Sequence, residues 1–135
     1  MESQAIILVD WDRNYSAAPK NDKIACIATG RSLEELRLNF ERSLKMHLKG
    51  MAEDGEVIPD EFTGEFEIVY YLTGKALMHY VDQFVTRKAL ARETGINLQQ
   101  LSHYAKGHRN PRPEMQERIL EGIRSIGKQL TDISS

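Results

Sequence analysis

Residues 86–106 read TRKALARETGINLQQLSHYAK, and this stretch decides the fold of the C-terminal half of the chain. It consists of two amphipathic segments that flank a Gly95-Ile96 turn. Glycine tolerates the positive φ angle that such a tight turn requires. The pattern is typical of a helix-turn-helix, the arrangement that places its second helix in the major groove of double-stranded DNA.

Capping residues set the bounds of the two helices. Thr86 is a typical N-cap for a first helix over residues 87–93, and Asn97 for a second helix over residues 98–106. Gly107 favours the left-handed backbone that ends a helix. The side chains predicted to be buried on the inner side are Leu90, Ile96, Leu101 and Tyr104.

The outward side of the second helix carries the candidate contacts to DNA. A glutamine early on such a helix can form two hydrogen bonds with the edge of an adenine. We therefore predict base contacts from Gln99, Gln100 and His103. Other polar and basic side chains lie where backbone phosphates would run. These are Thr86, Arg87, Asn97, Ser102, Lys106, Arg109 and Arg112. An ordinary solvated face is the alternative interpretation.

The net charge of −2 conceals two halves of opposite sign. Residues 1–80 carry 9 Lys and Arg against 14 Asp and Glu, whereas residues 81–135 carry 9 against 6. Residues 85–112 contain six bases and one acid. The asymmetry predicts an acidic module joined to a basic one, with different partners.

The N-terminal half has strand composition in four places. Three short apolar runs occupy residues 5–9, 15–18 and 24–28, and a polar turn at residues 12–14 makes the first two a hairpin. Their length alone does not separate strand from buried helix, but all three are too short for independent helices. Residues 66–72 (FEIVYYL) are rich in β-branched and aromatic side chains.

An amphipathic helix is predicted between the third and fourth runs. Ser32 and Glu35 form a capping box at its start, and Gly50 is the predicted end. The first half therefore reads β-β-β-α-β, and no strand pattern recurs after it. The predicted fold class is α+β, with a partner-binding domain at residues 1–73 and an all-α helix-turn-helix domain at residues 74–135.

Two further helices are predicted around the helix-turn-helix. The apolar face of the helix that precedes it consists of Leu77, Tyr80, Val81 and Phe84. In the last helix, Ile119 and Ile123 are expected to close the core. The apolar stripe then continues through Ile126, Leu130 and Ile133. One small DNA-binding domain contacts too few bases for useful specificity, so we expect a dimer. The continued stripe could form the contact with the second copy of the chain.

Six blocks are spread over nearly the whole chain. They are NYSA at residues 14–17, GRSLEELRLNFERSL from Gly30, DGEVIP at 54–59, LTGKAL at 72–77, GINLQQLSHYAKGHRNPRP at 95–113 and IGKQL at 126–130. In order and spacing they resemble the HicB family of antitoxins, and the segment ALARETGINLQQLSHYAKG alone resembles the Cro/repressor class of helix-turn-helix domains. The chain departs from the family at Trp11 and Arg13, in a hairpin where glycine is more usual.

The resemblance implies two activities. The first domain would be a degenerate ribonuclease-H-like fold that binds a small HicA-type mRNA-cleaving toxin and blocks its active site. The second would bind operator DNA as a homodimer or higher homo-oligomer and repress its own operon. A basic toxin would suit residues 53–67, which contain seven acids and no base, although a solvated loop is the alternative. The candidate toxin contacts are Glu53, Asp54, Glu56, Asp60 and Glu61.

Two other functions are left open by the residues. One is a stand-alone helix-turn-helix transcriptional regulator without a toxin partner, and the other is a metal-dependent nuclease. A two-metal nuclease needs several carboxylates that converge on the ions. Asp10 and Asp12 border a turn, however, and Glu35 belongs to the helix cap. Because Cys26 and the histidines also lack ligand spacing, we expect no enzyme activity, no cofactor and no metal site.

The single cysteine excludes a disulfide within the chain and fits a reducing interior. No apolar run approaches the roughly 20 residues of a membrane helix, and the N-terminus lacks the features of a secretory signal. We therefore expect a cytoplasmic protein with no membrane partner.

Overall fold

The computed structural model describes residues 3–133. The chain divides into two compact units, the first ending at Leu72 and the second beginning at Thr73. The described residues have a mixed α+β fold, with one four-stranded sheet and five α-helices. No helix among them combines the length and the apolar composition that crossing a bilayer requires.

The first unit contains the sheet and the first helix. Its elements are β1 (Ser3–Asp12), β2 (Asn14–Pro19), β3 (Ala28–Gly30), α1 (Leu33–Glu53) and β4 (Phe66–Leu72). The strands lie in the order β3-β2-β1-β4, in which β1 is antiparallel to β2 and parallel to β4. This element order agrees with the β-β-β-α-β prediction.

The core of the first unit follows from the alternation of side chains along a strand. On β1, Ala5, Ile7 and Val9 are buried while their neighbours are exposed. Leu36 and Phe40, one turn apart on α1, are buried as well. One face of the sheet and one stripe of α1 therefore supply the core.

The turn between β1 and β2 has a glycine-type backbone without a glycine. Asp12 pairs with Asn14, so Arg13 alone forms the turn. Its φ angle is 72°, in the left-handed region that side chains with a Cβ rarely adopt. The hairpin therefore keeps its geometry although the sequence has arginine at this position.

The predicted position of the third strand is wrong. Burial alternates along residues 24–30, as it would in a strand, with Ile24, Cys26 and Ala28 buried. Only Ala28–Gly30 joins the ladder with β2, however. Alternating burial thus marked an extended segment correctly but did not show where its hydrogen bonds begin.

The predicted end of α1 at Gly50 is also wrong, because the helix continues to Glu53. Its stop is Gly55, which has a φ angle of 71°. The N–H of Gly55 donates to the carbonyl of Ala52 at 3.2 Å, and the N–H of Glu56 donates to that of Met51 at 2.9 Å. These two bonds form a Schellman motif and satisfy carbonyls at the helix end.

The second unit is helical. It contains α2 (Gly74–Val81), α3 (Arg87–Thr94), α4 (Leu98–Lys106) and α5 (Pro113–Ile133). The four side chains predicted to face the core of α3, the turn and α4 are buried, which confirms that part of the prediction. Phe84 was predicted on the apolar face of α2, but it lies beyond the end of that helix and is 70% exposed.

Candidate nucleic-acid interface

Side-chain and glycine caps define α3 and α4 as the sequence predicted. The hydroxyl of Thr86 accepts from the N–H of Ala89 at 3.1 Å, and the Asn97 side chain accepts from the N–H of Gln99 at 2.7 Å. Gly95 and Gly107 follow the two helices with φ angles of 73° and 78°. The start of α4 is therefore fixed in both position and direction.

Thr94, just before the turn glycine, is a polar residue in a buried position. Its hydroxyl donates to the carbonyl of Leu90 at 2.7 Å and accepts from the N–H of Ile96 at 3.2 Å. Both hydrogen-bonding capacities are used, so the burial carries no unpaired polar group. An apolar side chain here would leave the N–H of Ile96 without this acceptor.

Contacts with α5 hold α3 in place. A Cβ atom on Gly122 would overlap Cγ2 of Thr94, so only glycine allows the two helices to approach this closely. Arg118 Nε donates to the carbonyl of Thr94 at 3.0 Å. Glu93 accepts hydrogen bonds from Ser125 and Gln129, and these bonds lower the pKa of its carboxyl. The orientation of α3 is therefore set from α5.

The outward face of α4 divides the three predicted base contacts into two kinds. Gln99 and His103 are exposed. Gln100 is half-buried, and its Nε2 donates to the hydroxyl of Tyr104 at 2.7 Å. Two exposed polar side chains, four residues apart, thus lie on one side of α4, while Gln100 is already bonded within the unit.

Arg87, a predicted phosphate contact, forms an ion pair with Asp82, which no sequence pattern had indicated. Its Nε and NH2 donate to the two carboxylate oxygens of Asp82 at 3.3 and 2.9 Å. This pairing raises the pKa of Arg87. A third donor, NH1, lies 3.4 Å from the hydroxyl of Ser102 on α4. The charge of Arg87 is therefore partly compensated.

The other three basic residues predicted to contact phosphates are exposed. Lys106 lies at the end of α4, and Arg109 and Arg112 lie in the segment that leads to α5. Among the residues that the structure describes, none of these three forms an ion pair. His103 and His108 meet edge to face with ring centres 6.0 Å apart. Unpaired positive charge thus surrounds the C-terminal end of α4.

A cleft of about 290 Å³ lies beside these basic side chains. Its lining residues are Gln100, Tyr104, Arg109, Asn110, Arg112, Glu114 and Met115. The Gln100–Tyr104 hydrogen bond lies at its wall, so Gln100 contributes to the shape of the cleft. The guanidinium groups of Arg109 and Arg112 are suited to phosphate oxygens, and the carboxylate of Glu114 lines the same cleft.

The acidic segment of the first unit is largely exposed. Glu53, Asp54, Glu56 and Asp60 point to solvent, whereas Glu61 is half-buried and accepts a hydrogen bond from Asn21. Asp60–Phe62 forms a short 3-10 turn that buries Phe62 against the ring of Phe66, with centroids 5.6 Å apart. The five predicted toxin contacts therefore lie on one segment, and four of them are accessible.

Candidate metal ligands are not grouped. Among residues 3–133, no three His, Cys, Asp or Glu side chains lie close enough together to hold an ion. Cys26 is buried, and that burial raises the pKa of its thiol.

Comparisons with protein-family models, with curated proteins and with solved structures find no match to this chain.

Proposed function

We propose that this protein is a cytoplasmic antitoxin that also regulates transcription. Its second unit would act as a helix-turn-helix domain, bind operator DNA through α4 and repress its own operon. Its first unit, which would have the degenerate ribonuclease-H-like fold of HicB antitoxins, would bind a small basic HicA-type toxin and block its mRNA-cleaving site. No residue of this chain would have a catalytic role.

DNA binding is supported chiefly by the exposed face of α4, which lies beside basic side chains that have no ion pair among the described residues. Gln99 and His103 project from a helix whose start is fixed by Asn97. Arg109 and Arg112 lie at its C-terminal side without an ion pair among the described residues. Base edges need hydrogen-bonding side chains, and phosphates need positive charge. Both kinds of side chain are present, the first on α4 and the second in the segment that directly follows it.

The residues would have different roles at this interface. Gln99 and His103 would contact base edges, and Lys106, Arg109 and Arg112 would contact phosphates. Gln100 would shape the cleft unless it exchanges its bond to Tyr104 for a base. Arg87 would contribute less charge than its type suggests, because Asp82 compensates it.

A binding experiment tests the proposed DNA binding directly. The full chain would be titrated against a labelled duplex from the region upstream of its own reading frame, and against a shuffled duplex of the same composition. We expect tighter binding to the upstream duplex and a steep loss of affinity with salt, because cations released from DNA drive such binding. Equal affinity for the two duplexes at every salt concentration would contradict the proposal.

The proposed toxin binding is supported by the exposed acidic side chains of residues 53–61. The test is co-purification with the product of the adjacent reading frame, expected to be a basic protein of about 60 residues, a size that suits a single small domain. Reversing two exposed charges with Asp54→Lys and Glu56→Lys should weaken the complex. The control is Asp22→Lys, another exposed acid of the same unit, which should leave it unchanged.

The alternative function is a transcriptional regulator without a toxin. The same pair of experiments separates the two functions. Specific binding to the upstream duplex without a basic protein partner would favour the stand-alone regulator. In either case the DNA-binding form would be a homodimer or a higher homo-oligomer, because a single reading head contacts too few bases for useful specificity.

A further inference from the structure

The composition of β4 does not agree with its environment. The strand reads FEIVYYL, and six of its seven residues are apolar or aromatic, yet none of the seven is fully buried. On β1, by contrast, Ala5, Ile7 and Val9 are buried at 0–1% exposure. β4 is an edge strand, the last in the order β3-β2-β1-β4. A long apolar edge strand pairs readily with another strand unless something covers it.

Both faces of β4 are only partly covered. On the side of α1, the strand and the helix enclose an open groove of about 1000 Å³. Phe66, Ile68 and Tyr70 of β4 line it together with Leu44 and Leu48 of α1, and the charged side chains of Arg37, Glu41 and Lys45 line it from α1 as well. The hydroxyl of Tyr70 donates to Glu41 at 3.1 Å, and Arg37 lies over the Tyr70 ring. The groove exists because α1 packs chiefly against β3 and β2, at the other end of the sheet.

On the opposite face, apolar side chains of β1 and β4 form a continuous patch. Parallel pairing places Ile6 beside Val69 and Leu8 beside Tyr71. Ile6, Leu8 and Tyr71 are 38–41% exposed. The free edge therefore lies between an apolar patch and a groove that apolar and charged side chains line together. A strand added to that edge would extend both surfaces.

We propose that β4 pairs with β4 of a second copy of this chain, antiparallel and about a twofold axis at Val69. The two sheets would then form one continuous sheet of eight strands. With the axis at the middle residue, all seven positions of Phe66–Leu72 are paired. Closed pairing of two identical surfaces is the commonest way in which soluble proteins assemble.

The side chains of β4 are self-complementary in this register. On the α1 side, Ile68 lies opposite Tyr70 of the second copy, so apolar side chains extend the floor of the groove. On the other face, Val69 meets Val69 of the second copy. Glu67, the one charged residue of β4, lies opposite Tyr71 of the second copy and not opposite another acid. No like charges oppose each other across the pair.

Cysteine cross-linking tests both the pairing and its register. Directly opposed residues of antiparallel strands have Cα atoms about 4.5–5.5 Å apart, within the roughly 4.4–6.8 Å that a disulfide spans. In a Cys26→Ala background, the Val69→Cys protein should form a covalent dimer under mild oxidation. Glu67→Cys alone should not, because its two copies would lie four residues apart, about 13 Å. The same holds for Tyr71→Cys.

A mixture of the Glu67→Cys and Tyr71→Cys proteins should form the heterologous covalent dimer, because these positions oppose each other in the proposed register. Met46→Cys on α1 is the control for random collision, since Met46 is 71% exposed and lies outside the groove. Val69→Lys should halve the number of chains in the assembly measured by sedimentation, because it removes one pairwise contact. Met46→Lys should leave that number unchanged.

The pairing concerns the first unit and does not depend on binding of DNA or toxin. Cross-linking of Val69→Cys no faster than that of Met46→Cys would overturn it. Self-association that survives Val69→Lys but is lost in Leu130→Lys would also overturn it, and would place the contact on the exposed stripe of α5. A chain that stays monomeric, with its β4 edge taken by a different protein, is a third result that contradicts the proposal.

Discussion

The approach of α5 to α3 at Gly122 gives a sharp test of how the second unit holds its helices. A Cβ atom on Gly122 would overlap Thr94 Cγ2 and lie 3.7 Å from Leu90 Cδ1. Carbon atoms in normal contact are about 3.5–4.0 Å apart, so either a helix or the threonine must shift. Thr94 cannot rotate without breaking its hydrogen bonds of 2.7 and 3.2 Å to the backbone.

We expect Gly122→Ala to lower the free energy of unfolding of the second unit by about 1–2 kcal/mol. Overpacking a tight core costs roughly 1–3 kcal/mol, and the pinned threonine favours the upper half of that range. The better helix propensity of alanine offsets about 1 kcal/mol. Gly127→Ala is the matched control, because a Cβ atom there meets nothing within 4 Å. It should stabilise the same helix by up to about 1 kcal/mol.

The measurement is urea unfolding followed by far-ultraviolet circular dichroism. Thr94→Ser should rescue Gly122→Ala, because serine keeps the hydroxyl and removes the methyl group that overlaps. Stabilisation by Gly122→Ala equal to that by Gly127→Ala would refute the close approach of the two helices. Failure of the serine to rescue would show that a group other than the methyl causes the loss.

Three further predictions concern other contacts. Asp82→Asn should release Arg87 for phosphate, and the slope of log affinity against log salt should steepen by about 0.9 per contact; an unchanged slope would exclude Arg87 from the interface. The lowered pKa of Glu93 means that its contribution to stability is present above the ordinary value of 4.5 and is lost as the pH falls through the lower folded value. The stability difference between wild type and Glu93→Gln should therefore disappear on acidification, and a difference independent of pH would contradict the assignment. In the first unit, Gly30→Ala should lower the urea midpoint, because the added Cβ would lie 2.5 Å from the backbone nitrogen of Leu36, whereas Gly50→Ala, with nothing within 4 Å, should raise it.

The sequence predicted the bounds of α3 and α4 closely because their ends depend on local chemistry. Thr86 and Asn97 cap the helices with their own side chains, and Gly95 and Gly107 supply the left-handed turns. Such signals operate within four residues. Near the end of α1, by contrast, there are two glycines. Gly50 lies within the helix and Gly55 forms the Schellman motif that ends it, and residue type alone does not show which of the two ends the helix.

The parts that could not be predicted depend on contacts between separate elements. Residues 24–27 alternate like a strand but have no partner strand in the ladder, which a single sequence does not reveal. Asp82 reaches Arg87 across the gap between α2 and α3, so no helical spacing pointed to the pair. The bond from Gln100 to Tyr104 has the ordinary spacing of one helical turn. The position of Gln100 near the outward face of α4 predicts a base contact, and that position alone does not reveal the bond to Tyr104.

The most direct test of DNA reading by α4 compares Gln99→Ala with Arg109→Ala in binding to the upstream and shuffled duplexes. We expect Gln99→Ala to reduce the ratio of the two affinities by roughly 5- to 150-fold, the equivalent of about 1–3 kcal/mol for a base contact. Arg109→Ala should weaken both complexes alike and leave the ratio unchanged, because phosphates carry no sequence information. Equal losses on both duplexes for Gln99→Ala would contradict the claim that α4 reads the operator.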